Sequence, residues 1–313
     1  GPEPPNNAML GLFGNKRDKN HLIVITLDSC RYDTFMEAGP ENITKLCGGL
    51  HGVEKRFSYA SWTAPSHYNL LTGLMPHTSP EEVYASEYYK EDLYKFKDRL
   101  GVDEAGFEAM IPQLWLPTYL RKKGYETHAM VSLPVLNPMT GVNKDFDTFK
   151  LMPKHNDMAA MLDDMEAQQK TLDSKGLAGS TPQFFLLNVG ETHYPYATPD
   201  EEENDLPHIS GVNGIFRKLD DQIDESGNLV SDKEAGDFMD MDKIEECRQR
   251  QINTVRYLDT EVFPRLYDMV PKDTWIVVTA DHGELFGESG YFGHGPIMHE
   301  KVFEVPFLEG KLK

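Results

Sequence analysis

Three apolar runs constrain this chain most: residues 22–27 (LIVITL), 184–189 (FFLLNV) and 275–280 (WIVVTA). Each has strand length, and none shows the polar–apolar alternation of a strand that faces solvent on one side. Strands of this kind sit in sheets covered on both faces. Runs at 125–131 and 146–151 have similar length, and helical patterns fall between the runs at about 31–38, 65–72, 112–123, 156–173 and 245–269. This alternation predicts an α/β fold, a mostly parallel central sheet with helices on both faces. In such sheets ligands bind beyond the carboxyl ends of the strands, so the residues just after each run carry the functional information.

The 313 residues are enough to bury a sizeable core. The expected layout is a flexible lead-in over 1–20 and a single domain over 21–313, interrupted by acidic stretches near 79–110 and 199–246. Both stretches read as insertions over the catalytic face or as solvated surface. Residues 224–228 have some EF-hand character. With Gly227 at the turn, however, the first and last ligand positions fall on Gln222 and Lys233, which excludes a calcium loop.

A formal net charge of −20 argues against nucleic acid as a partner and against an anionic lipid surface. It also means that an anionic substrate needs a local positive centre, which a bound metal would supply. No apolar run approaches the roughly 20 residues of a membrane-spanning helix, so no membrane segment is expected. Cys30, Cys47 and Cys247 form a sparse, odd set without CxxC spacing. That set excludes a disulfide framework and makes a reducing, cytoplasmic location the expectation. No signal peptide is visible, and Gly1-Pro2 has the look of a protease-cleavage remnant, consistent with an upstream segment having been removed.

The first run ends in Asp28, a carboxylate poorly placed after a buried strand unless a cation meets it or it caps the helix near Arg31. The last run ends in Asp281-His282-Gly283, where adjacent Asp and His offer an oxygen and a nitrogen to a divalent ion. A glycine-rich loop then delivers His294, and His193 follows the run at 184–189. Thr63 precedes Pro65 and an apolar helical stretch that closes at Gly73, which puts it at a helix N-terminus as a cap or beside a bound anion. Asp28, Thr63, Asp281, His282, His193 and His294 thus converge on one sheet edge.

These motifs resemble the alkaline phosphatase superfamily in its sulfatase-like branch, in order and over almost the whole chain. The resemblance rests on Leu27-Asp28-Ser29 with Arg31 and Asp33, on Thr63-Ala64-Pro65-Ser66-His67 through Gly73, and on Glu191-Thr192-His193-Tyr194-Pro195. It is completed by Asp281-His282-Gly283-Glu284, Gly287-Glu288, Gly293-His294-Gly295 and Glu304-Val305-Pro306. It implies Asp28, Asp281 and His282 as metal ligands, Thr63 as both ligand and nucleophile, and His193 and His294 as contacts to the transferred group or its leaving oxygen.

Sulfatases of this branch place Cys or Ser at the position of Thr63, for conversion to formylglycine, and Arg at the position of His67. A formylglycine sulfatase is therefore not expected. The Thr is instead similar to that of nucleotide pyrophosphatase/phosphodiesterases and of phosphoethanolamine and lipoteichoic-acid type transferases. The implied activity is a metal-dependent phosphoester or phosphonate hydrolase or a phosphotransferase, acting on a small anionic, phosphorylated substrate through a phosphothreonine. A sulfuric ester hydrolase without formylglycine and a non-catalytic metal-binding relative are the alternatives. Mixed oxygen and nitrogen donors suit Mn²⁺ or Zn²⁺. A second metal is allowed, with Glu191 and His193 as a partial second set.

Overall fold

Strand β1 (Leu22–Leu27) is buried along its whole length. It pairs in parallel with β5 (Gln183–Val189) on one side and β6 (Trp275–Thr279) on the other. Strands β3 (Glu126–Val131) and β4 (Thr148–Leu151) continue the parallel side beyond β5. Beyond β6 lies β9 (Glu304–Lys311), antiparallel to β6 and to the edge strand β2 (Glu54–Phe57). The sheet order is β2-β9-β6-β1-β5-β3-β4, and β7 (Leu285–Phe286) and β8 (Phe292–Gly293) form a separate small hairpin. The computed structural model describes residues 17–105, 115–172, 175–207, 209 and 240–313.

Successive side chains of β1 point to opposite faces, as the pleat requires. Ile23, Ile25 and Leu27 join a core with Phe35, Leu162, Ile252 and Val255, while Leu22 and Val24 join another with Leu70, Phe96, Leu116 and Leu120. The first core is roofed by α1 (Tyr32–Ala38), α5 (Met158–Thr171) and α6 (Met241–Tyr257). The second is roofed by α2 (Thr63–Leu71) and α4 (Leu116–Lys122). Each fully buried Leu, Ile, Val or Phe stabilises the fold by roughly 1.5–3 kcal/mol relative to exposure. The two-faced burial expected from the unbroken runs is what the sheet shows.

Three features depart from the sequence reading. Strands β2 and β9 were not expected: β2 is mostly charged (Glu-Lys-Arg-Phe), and Pro306 inside β9 argues against a strand with neighbours on both sides. The stretch 79–110 contributes to the core: α3 (Ala85–Tyr94) and the short helix Phe96–Leu100 bury Leu93, Phe96 and Leu100. The pattern at 245–269 is broken by a π-helical turn at Leu258–Val262, followed by a helix over Phe263–Met269. Residues 1–16 of the expected lead-in, 112–114 of an expected helix, the excluded calcium loop and most of the stretch 199–246 lie outside the described residues. Among the described residues no helix is long and apolar enough to cross a membrane.

Candidate metal centre and active site

The parallel strands deliver their following residues to one edge. Asp28 continues the β1–β5 pairing through its N–H to Val189 O (2.9 Å), and its own carbonyl accepts from Thr192 Oγ1 (2.7 Å). Asp281 and His282 follow β6, where the chain is pinned by Gly283 N–H donating to Val302 O. A Cβ on Gly283 would stand 2.0 Å from the Lys301 carbonyl oxygen, so only glycine allows that approach.

Thr63 opens α2, but its side chain does not cap the helix. The N-cap is Trp62, in extended conformation and without a side-chain cap. Thr63 Oγ1 instead lies 3.4 Å from Asp28 Oδ1 and 3.4 Å from His282 Nε2. The capping alternative for Asp28 also fails, because α1 has Arg31 as its N-cap and no side-chain cap either. Arg31 is buried and clamps the loops: it donates to Asp33 (2.6 and 2.9 Å), to Glu284 O (3.3 Å) and to Glu288.

Asp28, Asp281 and His282 bring donor atoms within 4.8 Å of one another, all three side chains fully buried. His282 Nε2 stands 3.3 Å from Asp281 Oδ2 and 3.8 Å from Asp28 Oδ1. A tetrahedral site with ligand bonds of about 2.1 Å has neighbouring donors about 3.4 Å apart, which matches this spacing. Asp281 Oδ1 accepts the N–H groups of Ser29 (3.1 Å) and His282 (2.9 Å), whereas buried Oδ2 has no partner. Burial, and then the Asp28 carboxylate beside it, pushes the Asp281 carboxyl well above its ordinary range. An orphaned oxygen facing a like charge in a dry site is the condition that a cation relieves. The residues therefore fit a divalent metal.

Three imidazoles present the same face. His282 Nδ1–H donates to Gly283 O (2.7 Å), His193 Nδ1–H to Tyr194 O (2.9 Å) and His294 Nδ1–H to Glu284 Oε1 (2.7 Å). With Nδ1 engaged in this way, Nε2 of His282 is directed to Thr63 and Asp281, and Nε2 of His193 and His294 makes no hydrogen bond among the described residues, the arrangement that ligation or substrate contact requires. The His294 ring centroid is 4.1 Å from that of His282 and 5.7 Å from that of His193. Burial, and then the His294 ring, holds His282 neutral. At His294 burial opposes the charged form, but Glu284 outweighs it and its pKa lies above the ordinary histidine value.

Several members of the site escaped the sequence reading. Asn188 donates to Asp28 Oδ2 (2.8 Å) from within β5, and a polar residue in an otherwise apolar buried run was the available signal. His67 is buried, donates through Nδ1 to Thr63 O (2.8 Å) and accepts at Nε2 from Thr26 Oγ1 (2.9 Å). It braces the first turn of α2 from below. Glu191 does not join the carboxylate cluster found among the described residues. Its Oε2 accepts Met158 N–H (3.1 Å) at the start of α5, and burial raises its pKa to about 8.

This fold and this edge define an α/β protein with a mostly parallel sheet and a buried Asp-Asp-His donor set at the carboxyl ends of its strands. The chain belongs to the sulfatase family, whose model matches residues 20–308. Among curated proteins, none matches it by sequence. Of solved structures, it is similar to the soluble domain of lipooligosaccharide phosphoethanolamine transferase A from Neisseria meningitidis. That match has 15% identity and a TM-score of 0.55, and covers 96% of this chain and 78% of the other. It is also similar to the C-terminal periplasmic domain of phosphoethanolamine transferase EptC from Campylobacter jejuni, with 16% identity, TM-score 0.51, and 93% and 79% covered. A third is the C-terminal periplasmic domain of EcEptC from Escherichia coli in complex with Zn, with 14% identity, TM-score 0.50, and 95% and 74% covered.

The cytoplasmic expectation does not stand against these likenesses, two of which are periplasmic domains by name. The cysteines misled because buried thiols behave as small apolar residues in any compartment: Cys30 and Cys247 are both in the core.

Proposed function

We propose that this chain is the catalytic domain of a metal-dependent phosphotransferase or phosphoester hydrolase, with Thr63 as the covalent nucleophile. The observation that carries this is Thr63 Oγ1 at 3.4 Å from both Asp28 Oδ1 and His282 Nε2, within a donor set spaced for one tetrahedral cation. Asp28, Asp281, His282 and Thr63 would hold the metal, Zn²⁺ before Mn²⁺ given the tetrahedral spacing and the nitrogen donor. A divalent cation there would supply Lewis acidity, so that Thr63 gives up its proton to solvent and charge on the phosphoryl oxygens is offset.

The chemistry of the chain's own residues follows from their placement. Thr63 Oγ bonds to phosphorus as the bond from phosphorus to the leaving oxygen breaks, giving a phosphothreonine. His294 Nε2 donates a proton to the leaving oxygen, and His193 Nε2 hydrogen-bonds the transferred group. The second half reverses these roles: an acceptor hydroxyl, or water, gives its proton to His294, attacks phosphorus and releases Thr63. The likeness to phosphoethanolamine transferases supports transfer to an alcohol over hydrolysis, a phosphodiester donor with an amphiphilic organic part, and a site outside the cytoplasm.

The test is a panel of 4-nitrophenyl phosphate, phosphodiester, phosphonate and sulfate with metal-loaded protein. Phosphorus esters are expected to turn over and the sulfate not. Thr63→Ala abolishes turnover while bound metal, measured by elemental analysis, is retained. Undiminished turnover in that variant would remove Thr63 from the chemistry.

A further inference from the structure

His294 sits between Gly293 and Gly295, both at φ 93°, on a segment whose backbone alone cannot fix a ring. The bracing comes from two distant places in the sequence. Glu284, 1% exposed, accepts His294 Nδ1–H at Oε1 (2.7 Å) and the Tyr196 hydroxyl at Oε2 (2.8 Å). Tyr196 is completely buried, its ring 5.9 Å from that of Tyr194 and 5.6 Å from that of Phe286. It also belongs to the loop that carries His193, because Tyr196 N–H donates to His193 O (2.7 Å). Glu284 is fixed in turn by the chain on either side: its carbonyl accepts from Arg31, and Asp281-His282 precede it.

From this we infer that Glu284 and Tyr196 are positioning residues that hold His294 with Nε2 toward the reacting phosphorus and tie the His294 loop to the His193 loop. The inference rests on the proposed role of His294 at the leaving oxygen. A buried carboxylate with one donor on each oxygen is fully oriented; removing the Tyr196 hydroxyl leaves Oε2 unpaired and the carboxylate less fixed, and removing Glu284 leaves the His294 ring free to turn. Among the described residues the Glu284 side chain hydrogen-bonds His294 and Tyr196 rather than the Asp28–Asp281–His282 donor atoms, so the effect runs through His294. A positioned proton donor contributes about 10²–10⁴-fold where the leaving oxygen needs a proton, and little where it does not.

The experiment compares two phosphodiesters, ethyl 4-nitrophenyl phosphate and ethyl phenyl phosphate, whose leaving oxygens differ in basicity. Tyr196→Phe is expected to lower kcat on the phenyl ester about tenfold and on the nitrophenyl ester less than twofold, with KM and metal content unchanged. Glu284→Ala deepens the phenyl loss to about 10²-fold, and Glu284→Gln, whose amide oxygen still accepts from His294, recovers part of it. Equal losses on both esters would mean a merely structural role, and no loss on either would mean no role; both overturn the inference. A readout independent of turnover is long-range ¹H–¹⁵N NMR of histidine-labelled, zinc-loaded protein, assigned with His294→Asn. Glu284→Ala should remove the Nδ1–H pattern of His294 and leave that of His193. An unchanged His294 pattern overturns the positioning role. Absent phosphodiester turnover in the wild type, with that pattern shifted as expected, would instead refute the proposed reaction and leave the positioning intact.

Discussion

Both ends of the central sheet are dense in buried polar groups, yet they are built on opposite terms. At the amino end, His21 Nδ1 accepts Gln183 N–H (2.9 Å) and its Nε2–H donates to Leu177 O (2.9 Å). The Gln183 side chain accepts from His128 Nε2 (2.7 Å) and donates to Glu126 (3.0 Å) and Thr181 O (3.2 Å), while His128 Nδ1 meets the Thr148 hydroxyl (2.8 Å). These groups satisfy one another and complete the architecture. At the carboxyl end, Asp281 keeps an oxygen without a partner, set among Asp28 and His282 with nothing cationic in the cluster. Asp92 also has oxygens without hydrogen bonds, but its Oδ1 faces Arg99 at 3.7 Å and Arg56 at 4.0 Å, opposite in sign. What separates a site from a structural network here is unbalanced charge, not the number of polar residues.

The largest effect should come from removing that imbalance. Asp281→Asn keeps an acceptor for Ser29 and His282 and places an amide N–H₂ where the orphaned oxygen stood. Cation binding weakens, and turnover falls at least about 10²-fold, the scale of losing one charge-stabilising group. Without metal the same variant should be more stable than the wild type by about 1–3 kcal/mol, because an unpaired buried group has gone. Chelator should lower the melting temperature of the wild type, which loses its ligand, and barely move that of the variant. Thermal melts with and without chelator decide it. A variant less stable in both conditions would erase the contrast between the two edges.

The contrast also explains how much was legible beforehand. Strands β1, β5 and β6 were readable because burial on both faces leaves a nearly continuous apolar run. Strands β3 and β4 were readable from the shorter stretches at 125–131 and 146–151, and strand polarity then made the residues after the runs the candidates. Asp28, Asp281 and His282 meet for that reason, and Thr63 joins them from the first turn of α2. Strands β2 and β9 were not readable, since β2 is an edge and β9 carries Pro306 and Gly310. Thr63 and Asp28 each admitted a capping role that only the direction of the side chain excludes. Glu284 and Tyr196 are 88 positions apart, and their meaning lies in that contact alone.

A smaller loss, of a different kind, is expected at the amino edge. His21→Asn cannot reach both Gln183 N–H and Leu177 O, so at least one buried group is left unpaired, at a cost of about 1–3 kcal/mol. Urea melts should show this loss equally with and without chelator, and metal content and turnover of the folded fraction should stay at wild-type levels. A chelator-dependent change would show that the edges are coupled through β1 and that the division between architecture and chemistry is too sharp.

The smallest effect is a slope. Burial is the main reason that the His21 pKa falls to about 4, with the Leu177 hydrogen bond opposing it in part. In the unfolded chain the same ring titrates near about 6.5. Between these values the unfolded state binds a proton that the folded state refuses, so stability rises with pH across the window. The contribution is fully present above about pH 6.5 and is lost as pH falls toward 4, at about 1.4 kcal/mol per pH unit and so about 2 kcal/mol by pH 5. His21→Asn has no proton to take up, so its urea-derived stability should decline more gently over that range, and the two curves should converge on acidification. Other titrating groups are common to both proteins and cancel in the difference. Parallel curves would mean that His21 carries its proton within the fold, and the satisfied network drawn for the amino edge would then be wrong in its tautomer.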